Sequence, residues 1–287
     1  MPQQYFNHHA TRTAIQVFVR IEGVDQWTGT GFFVQVSRHL NEGPTIDCLL
    51  LISNKHVLAQ GAGIQHIVLN KKGQDGQILF GDQELLELDN SIHRYTGHHD
   101  NEIDLACIDM RGIETTQYDV PVLSPGFLEE LDANRIGVGT DVLFAGFPNG
   151  MKDVRNGLAL MRKGSIASIP SMDCHAKGLL AVDGTVLPGN SGGPVFVECG
   201  NSCRLLGVIH ARSTIADDFG FVIKQQYVNE LIERALDKAT NELRQTAYTI
   251  AREILEAGEL GPEVQRIQND VWMRIARNLD EIRRAEE

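Results

Sequence analysis

The hydrophobic period of this chain changes once, near residue 225, and that change constrains its fold more than any other feature. Before it, short apolar runs alternate with turn signals. Ile15-Gln16-Val17-Phe18-Val19-Arg20-Ile21 is one such run, and a turn at Glu22-Gly23-Val24-Asp25 follows it. Alternation at every second residue puts one face of a strand against a core. Many short strands between turns predict a barrel or sandwich. Glycine, 28 of 287 residues, supplies the turns. Beyond residue 225 the spacing becomes helical. Leu231, Ala235, Ala239, Leu243, Ala247, Ile250 and Ile254 mark a helix over 227–257. Gly258 and Gly261-Pro262 break it. Val264, Ile267, Val271, Ile275, Leu279 and Ile282 then mark a second helix, so the end of the chain reads as a helical hairpin.

Bulk properties narrow the classes of function. The length suggests about two domains, and a hydrophobic content of 42% is ample for two cores. A net charge of −12 argues against general binding to nucleic acid or an anionic membrane. No run approaches the ~18 apolar residues of a membrane span. Met1-Pro2-Gln3-Gln4-Tyr5-Phe6-Asn7-His8-His9 has neither a basic start nor an apolar stretch, so it does not read as a secretory signal. The expected location is the cytoplasm. The five cysteines agree with a reducing compartment. Cys48 and Cys107 sit in apolar runs and read as small buried hydrophobes. Cys199 and Cys203 flank a hairpin tip, where a local disulfide or half a metal site is the alternative reading.

Three segments carry chemistry. In Pro188-Gly189-Asn190-Ser191-Gly192-Gly193-Pro194 a serine stands among glycines, which allow a tight turn with amide N–H groups facing outward. A serine beside free N–H groups suits acyl transfer: a nucleophile next to an oxyanion hole. A plain loop before a strand is the competing reading. In Leu51-Ile52-Ser53-Asn54-Lys55-His56 an apolar run ends on a histidine, a candidate base. The competing reading there is a satisfied core histidine. His66, His93, His98 and His99 read as ordinary surface or loop residues. In Asn101-Glu102-Ile103-Asp104-Leu105-Ala106 an acid lies in an apolar stretch, with Asp100, Glu102 and Asp109 as rivals. A carboxylate capping a turn is the alternative. The order is His, Asp, Ser, one of three unrelated orders in which this triad occurs.

With Gly29-Thr30-Gly31-Phe32-Phe33-Val34 and Ala145-Gly146-Phe147-Pro148-Asn149-Gly150, these segments make the chain resemble a trypsin/chymotrypsin-like serine peptidase. The likeness is closer to the bacterial, high-temperature-requirement type than to animal digestive enzymes, and it spans about residues 15–225. It implies an all-β fold: two six-stranded antiparallel β-barrels with the site in the cleft between them, here with a C-terminal α-helical extension. The expected peptidase domain is 13–225, with one barrel at about 13–110 and the other at about 130–225, and the helical tail is 226–287. A crossover near 111–130 carries Pro121, Pro125 and Gly126.

The resemblance also implies roles. Ser191 is the expected nucleophile, His56 the general base and Asp104 the acid that fixes the imidazole tautomer. The backbone N–H groups of Gly189 and Ser191 are the expected oxyanion hole. No metal or organic cofactor is expected. Asn190 stands where animal trypsins carry the aspartate that pairs with a new N-terminus, so activation by that route is not expected. Thr185, six residues before the serine, is the expected pocket floor, and His210 and Arg212 lie on one wall. Without an aspartate at Thr185, the default substrate residue is small or medium and apolar. Arg212 facing solvent and His210 packed near the triad is the alternative for those two. The tail does not read as the peptide-binding β-rich domain that follows high-temperature-requirement peptidases. It packs on the second barrel, or it mediates self-association or docks another protein, with Trp272 and Met273 as anchors. The function expected is a serine endopeptidase acting on protein or peptide substrates. The alternative is an inactive or regulated peptidase-fold module that works through its tail.

Overall fold

The computed structural model describes residues 12–256 apart from 22–23, 41–43, 59–63, 89–94, 114, 124, 132–135, 200–201 and 213–217. The second predicted helix, with Trp272 and Met273, lies outside the described residues, as do His93 and the side chains of Cys199 and Arg212. The chain divides into two units, Met1–Leu236 and Asp237–Glu287.

The first unit is built from two sheets. The strands of the first are β1 (Ala14–Ile21), β2 (Val24–His39), β3 (Thr45–Ser53), β4 (Ile64–Lys72), β5 (Ile78–Leu88), β6 (Tyr95–Gly97), β7 (Ala106–Asp109) and β8 (Val122–Leu123). They run in the order β5-β4-β1-β2-β3-β7-β6, and β8 joins β2 in parallel. The second sheet contains β9 (Asp141–Gly146), β10 (Leu160–Ile166), β11 (Leu179–Asp183), β12 (Pro194–Cys199), β13 (Ser202–Arg212) and β14 (Phe219–Lys224). These close into a six-stranded barrel in the order β10-β11-β14-β13-β12-β9.

The all-β fold with its C-terminal helix matches the expectation, with one refinement. The first sheet has eight strands rather than six, and among the described residues it does not close. The reason is visible in β5, which alternates between half-buried and exposed residues along most of its length. Asp82, Glu84 and Glu87 lie on it, and charge along an edge discourages further pairing.

Each sheet encloses its own apolar cluster. Val17, Phe33, Leu51, Leu58, Ile67 and Ile108 fill the first, and Phe144, Val182, Val195, Leu206, Ile209 and Val222 fill the second. A smaller group of Ala14, Ala145, Phe147 and Ala159 brings residues of β1 and β9 together. Cys48 and Cys107 are buried free thiols, as their apolar runs suggest. His66 and His98, by contrast, are buried rather than surface residues.

The C-terminal helix α2 runs over Gln225–Glu256 and begins directly after β14. Val228, Leu231, Ile232 and Ala235, in the first unit, are buried. In the second unit the same stripe reaches Leu243 and Ile250, which are exposed.

Candidate active site

β3 leaves the first core at Ser53, and Asn54 starts a single helical turn, α1 (Lys55–Leu58), that carries His56. The carbonyl of Asn54 accepts the N–H groups of Val57 and Leu58, which closes the turn. Val57 and Leu58 are buried in the core, so the turn is anchored on one side and leaves His56 on the other.

Asp104 stands just before β7, and this turn grips it through its backbone. Its carbonyl accepts the Lys55 N–H at 3.2 Å and the Asn54 side-chain amide at 3.0 Å. Its carboxylate is bound twice by His56: Oδ1 accepts the backbone N–H at 3.1 Å, and Oδ2 lies 2.5 Å from Nδ1. A charge-assisted bond of that kind fixes both the ring and its tautomer. Burial acts to raise the carboxyl pKa, but contacts from His210 and His56 outweigh it and hold Asp104 well below the usual carboxylate range. Two of its rivals are engaged elsewhere, and the third, Glu102, is exposed. Asp100 pairs with Lys177 at 2.5 Å, and Asp109 with Arg111 at 2.6 Å.

The serine loop is held by backbone bonds. The Gly192 N–H donates to Ile209 and the Ile209 N–H returns to Gly193, which ties the loop to β13. The Ser191 carbonyl accepts the Thr30 N–H at 2.8 Å, and the Thr30 hydroxyl donates to the Gly189 carbonyl at 2.6 Å. Thr30 lies on β2, so one residue of the first sheet clamps the loop of the second.

The orientation of the Gly189 amide follows from a neighbour. The Pro188 carbonyl accepts the Asn149 N–H at 2.7 Å. A trans peptide then points the Gly189 N–H to the opposite side. Gly189 has a φ of 91°, open to glycine at little cost. Among the described residues, neither the Gly189 nor the Ser191 N–H donates to a protein acceptor. Two amides left without a protein acceptor are donors that an anion can use. Ser191 Oγ and His56 are not hydrogen-bonded among the described contacts; such bonds often tighten only once substrate is bound.

Residues 29–208 match the family described as the trypsin-like peptidase domain. The chain belongs to the trypsin-like peptidase family. Its enzyme class is therefore that of the serine-type endopeptidases. Among solved structures, the serine endoprotease from Yersinia pestis is 19% identical with a TM-score of 0.49, over 83% of this chain and 68% of that one. The Rv3671c protease from M. tuberculosis, in its active form, is 16% identical with a TM-score of 0.49, over 81% and 86%. A comparison with curated proteins gives no match.

The peptidase places the remaining predicted residues as follows. Thr185 is half-buried just after β11. Arg212 lies on β13 opposite Gly220. His210 is brought to the carboxylate instead, its Nδ1 lying 3.2 Å from Asp104 Oδ2. That is ion-pair distance, and His210 Nδ1 is buried with no directed hydrogen-bond partner. Asn190 is buried, and its side-chain N–H₂ also lacks a partner. Thr30 and Asn149 were within motifs singled out in the sequence, yet only the fold reveals that they steer the serine loop. Among the described residues, no helix is long and apolar enough to cross a membrane.

Proposed function

We propose that this peptidase cleaves peptide bonds through an acyl-enzyme on Ser191, with His56 as general base and Asp104 as the group that orients it. The reading is supported chiefly by the two bonds from Asp104 to His56. They put the Nδ1 proton toward the carboxylate and leave Nε2 as the acceptor for the serine proton. Ser191 Oγ attacks the carbonyl carbon while its proton passes to Nε2. The Gly189 and Ser191 amides receive the oxyanion, a contribution typically of about 100- to 1,000-fold per donor. His56 then protonates the leaving amine, and water repeats the sequence to free the acid.

For substrate choice, Thr185 forms the floor of the specificity pocket. Without a carboxylate there, lysine and arginine have no ionic partner, and small or medium apolar residues are favoured. Residues 13–225 form the catalytic domain and 226–287 a tail. A second reading, an interaction module held inactive, is favoured by one observation: Leu243 and Ile250 are exposed along the helical stripe of the tail.

The test is intact mass after treatment with a fluorophosphonate. A single adduct on the wild type, absent from Ser191→Ala and His56→Ala, is the expected result. Turnover of a denatured protein, lost in Ser191→Ala, completes it. A folded wild type that takes no adduct and cleaves nothing overturns the peptidase reading in favour of the module.

A further inference from the structure

His210 stands beside the proposed triad, and the mechanism leaves it without a task. Its side chain is about a third exposed, but Nδ1 itself is buried and has no hydrogen-bond partner. That nitrogen faces Asp104 Oδ2 at 3.2 Å, while His56 Nδ1 faces the same oxygen at 2.5 Å. The two rings stand edge to face at 73°, with centroids 6.1 Å apart. Two imidazole nitrogens therefore converge on one carboxylate oxygen, and each of the three residues offers a ligand atom within 4.8 Å of the others. Neither tautomer of neutral His210 uses this position well. With the proton on Nε2, a lone pair meets a carboxylate. With the proton on Nδ1, the N–H meets an oxygen that His56 already binds more closely.

We propose that His56, Asp104 and His210 form an inhibitory site for a borderline divalent cation, with Zn²⁺ as the fitting ion. Two imidazoles and one carboxylate form a donor set that suits zinc, at bonds of about 2.0–2.2 Å, with a fourth position for water. Ligands of a tetrahedral ion stand about 3.3 Å apart at such bond lengths. The His210–Asp104 separation is already close to that, and binding needs the His56–Asp104 pair to open and the two rings to settle around the ion.

The consequence follows from proton bookkeeping. Neutral imidazole carries one proton. Coordination at Nδ1 of His56 requires that proton to move, through water, to Nε2. The nitrogen that would accept the Ser191 proton then carries a hydrogen itself. No net proton is released, and the base is lost for as long as the ion stays. This inhibition rests on the peptidase reading; metal binding does not.

The other cluster of this kind, His98, His99 and Glu230, provides the contrast. His98 Nδ1 accepts the Asp100 N–H at 3.1 Å, so its own proton stands on Nε2, facing Glu230 at 3.2 Å. A metal on Nε2 would drive that proton onto Nδ1, against the amide of Asp100. That cluster is satisfied as it stands.

The experiment uses full-length Ser191→Ala, dialysed against chelator and then titrated with ZnCl₂ by calorimetry. Co²⁺ serves as a spectroscopic probe of tetrahedral geometry. One ion per chain is expected, with affinity weakened by roughly tenfold or more in Ser191→Ala/His210→Gln and in Ser191→Ala/Asp104→Asn. Circular dichroism of each variant without metal confirms folding, and His210→Asn is a second variant at that position. On the wild type, zinc should block fluorophosphonate labelling and chelator should restore it. The absence of binding, or binding unchanged by the His210 and Asp104 substitutions but lost in Glu230→Gln, overturns the proposal. Zinc binding to a protein that never labels would leave the metal site standing and remove the peptidase reading instead.

Discussion

The Ser191 loop and the His56–Asp104 pair are held in opposite ways. Main-chain bonds to Thr30, Ile209 and Asn149 fix the loop. The side chains of the pair fix each other, with a carboxylate that bonds a ring and an amide. A main-chain clamp fails sterically, when a side chain appears where none fits. A side-chain clamp fails electrostatically, when a charge is removed and the shape is kept. The two halves of one site should therefore answer mutation through different observables.

The largest expected effect tests the first half. Gly192 has a φ of 86°, and a Cβ there would collide with the Ser53 hydroxyl and the Thr30 carbonyl. Gly192→Ala adds backbone strain to a clash with main chain that cannot step aside. The expected cost is on the order of 3 kcal/mol or more, with loss of fluorophosphonate labelling. Denaturant midpoints and intact mass measure both. An alanine variant as stable and as reactive as the wild type would break the comparison at its stronger end.

The second half should respond in rate alone. Asp104→Asn keeps the volume and removes the charge, so the His56 ring loses the partner that selects its tautomer. A drop of about 10⁴-fold in kcat is expected. The thermal midpoint should change little, since the Asp104 carbonyl bonds to Lys55 and Asn54 survive. Steady-state kinetics beside a melting curve separate the two quantities. A large fall in stability with little fall in rate would mean that Asp104 serves the fold.

How much of this was legible in the sequence follows the same division. Local patterns were readable. The apolar alternation of β1 and the helical spacing after residue 225 both correspond to observed elements, and the helix at 225–256 nearly matches its predicted span. The His and Asp segments pointed to two residues, His56 and Asp104, that hydrogen bonds join in the fold. What stayed hidden depends on contacts between distant strands. An eight-stranded first sheet cannot be counted from runs of residues, because pairing of β8 with β2 has no local signal. The position of His210 is the sharper case. The register of β13 against β14 shifts between Ile209 and Ala211, so His210 sits in a bulge. Bulges re-aim a side chain, and simple alternation therefore misses its direction. Asn149 was hidden for a similar reason: its φ of 49° belongs to a turn whose task, holding the Pro188 carbonyl, is performed by its backbone.

The smallest effect sharpens the comparison at its margin, where the segment bearing Asp104 meets the start of α2. His98 has a fully buried side chain, stacked on His99 with centroids 4.4 Å apart and edge-on to Tyr227. Glu230 faces its Nε2, and the Asp100 amide donates to its Nδ1. Burial, then the charge of His99, lower its pKa, and the contacts with Glu230 and Asp100 only partly offset them. The unfolded chain therefore takes up this proton before the folded one does. Stability from His98 is complete above about pH 6.5, the unfolded value, and declines as pH falls below it toward the lowered folded value. The loss comes from a single imidazole whose lowering is partly offset, so it is the smallest of the three effects. Glu230→Gln keeps a hydrogen-bond acceptor but removes the charge that eases protonation, so the acid loss should deepen. His98→Asn should abolish that part of the slope. Urea midpoints from about pH 5 to about pH 8 read both variants. A Glu230→Gln profile parallel to the wild type would mean that the carboxylate exerts no electrostatic hold on His98, and that the link between α2 and this loop is packing alone.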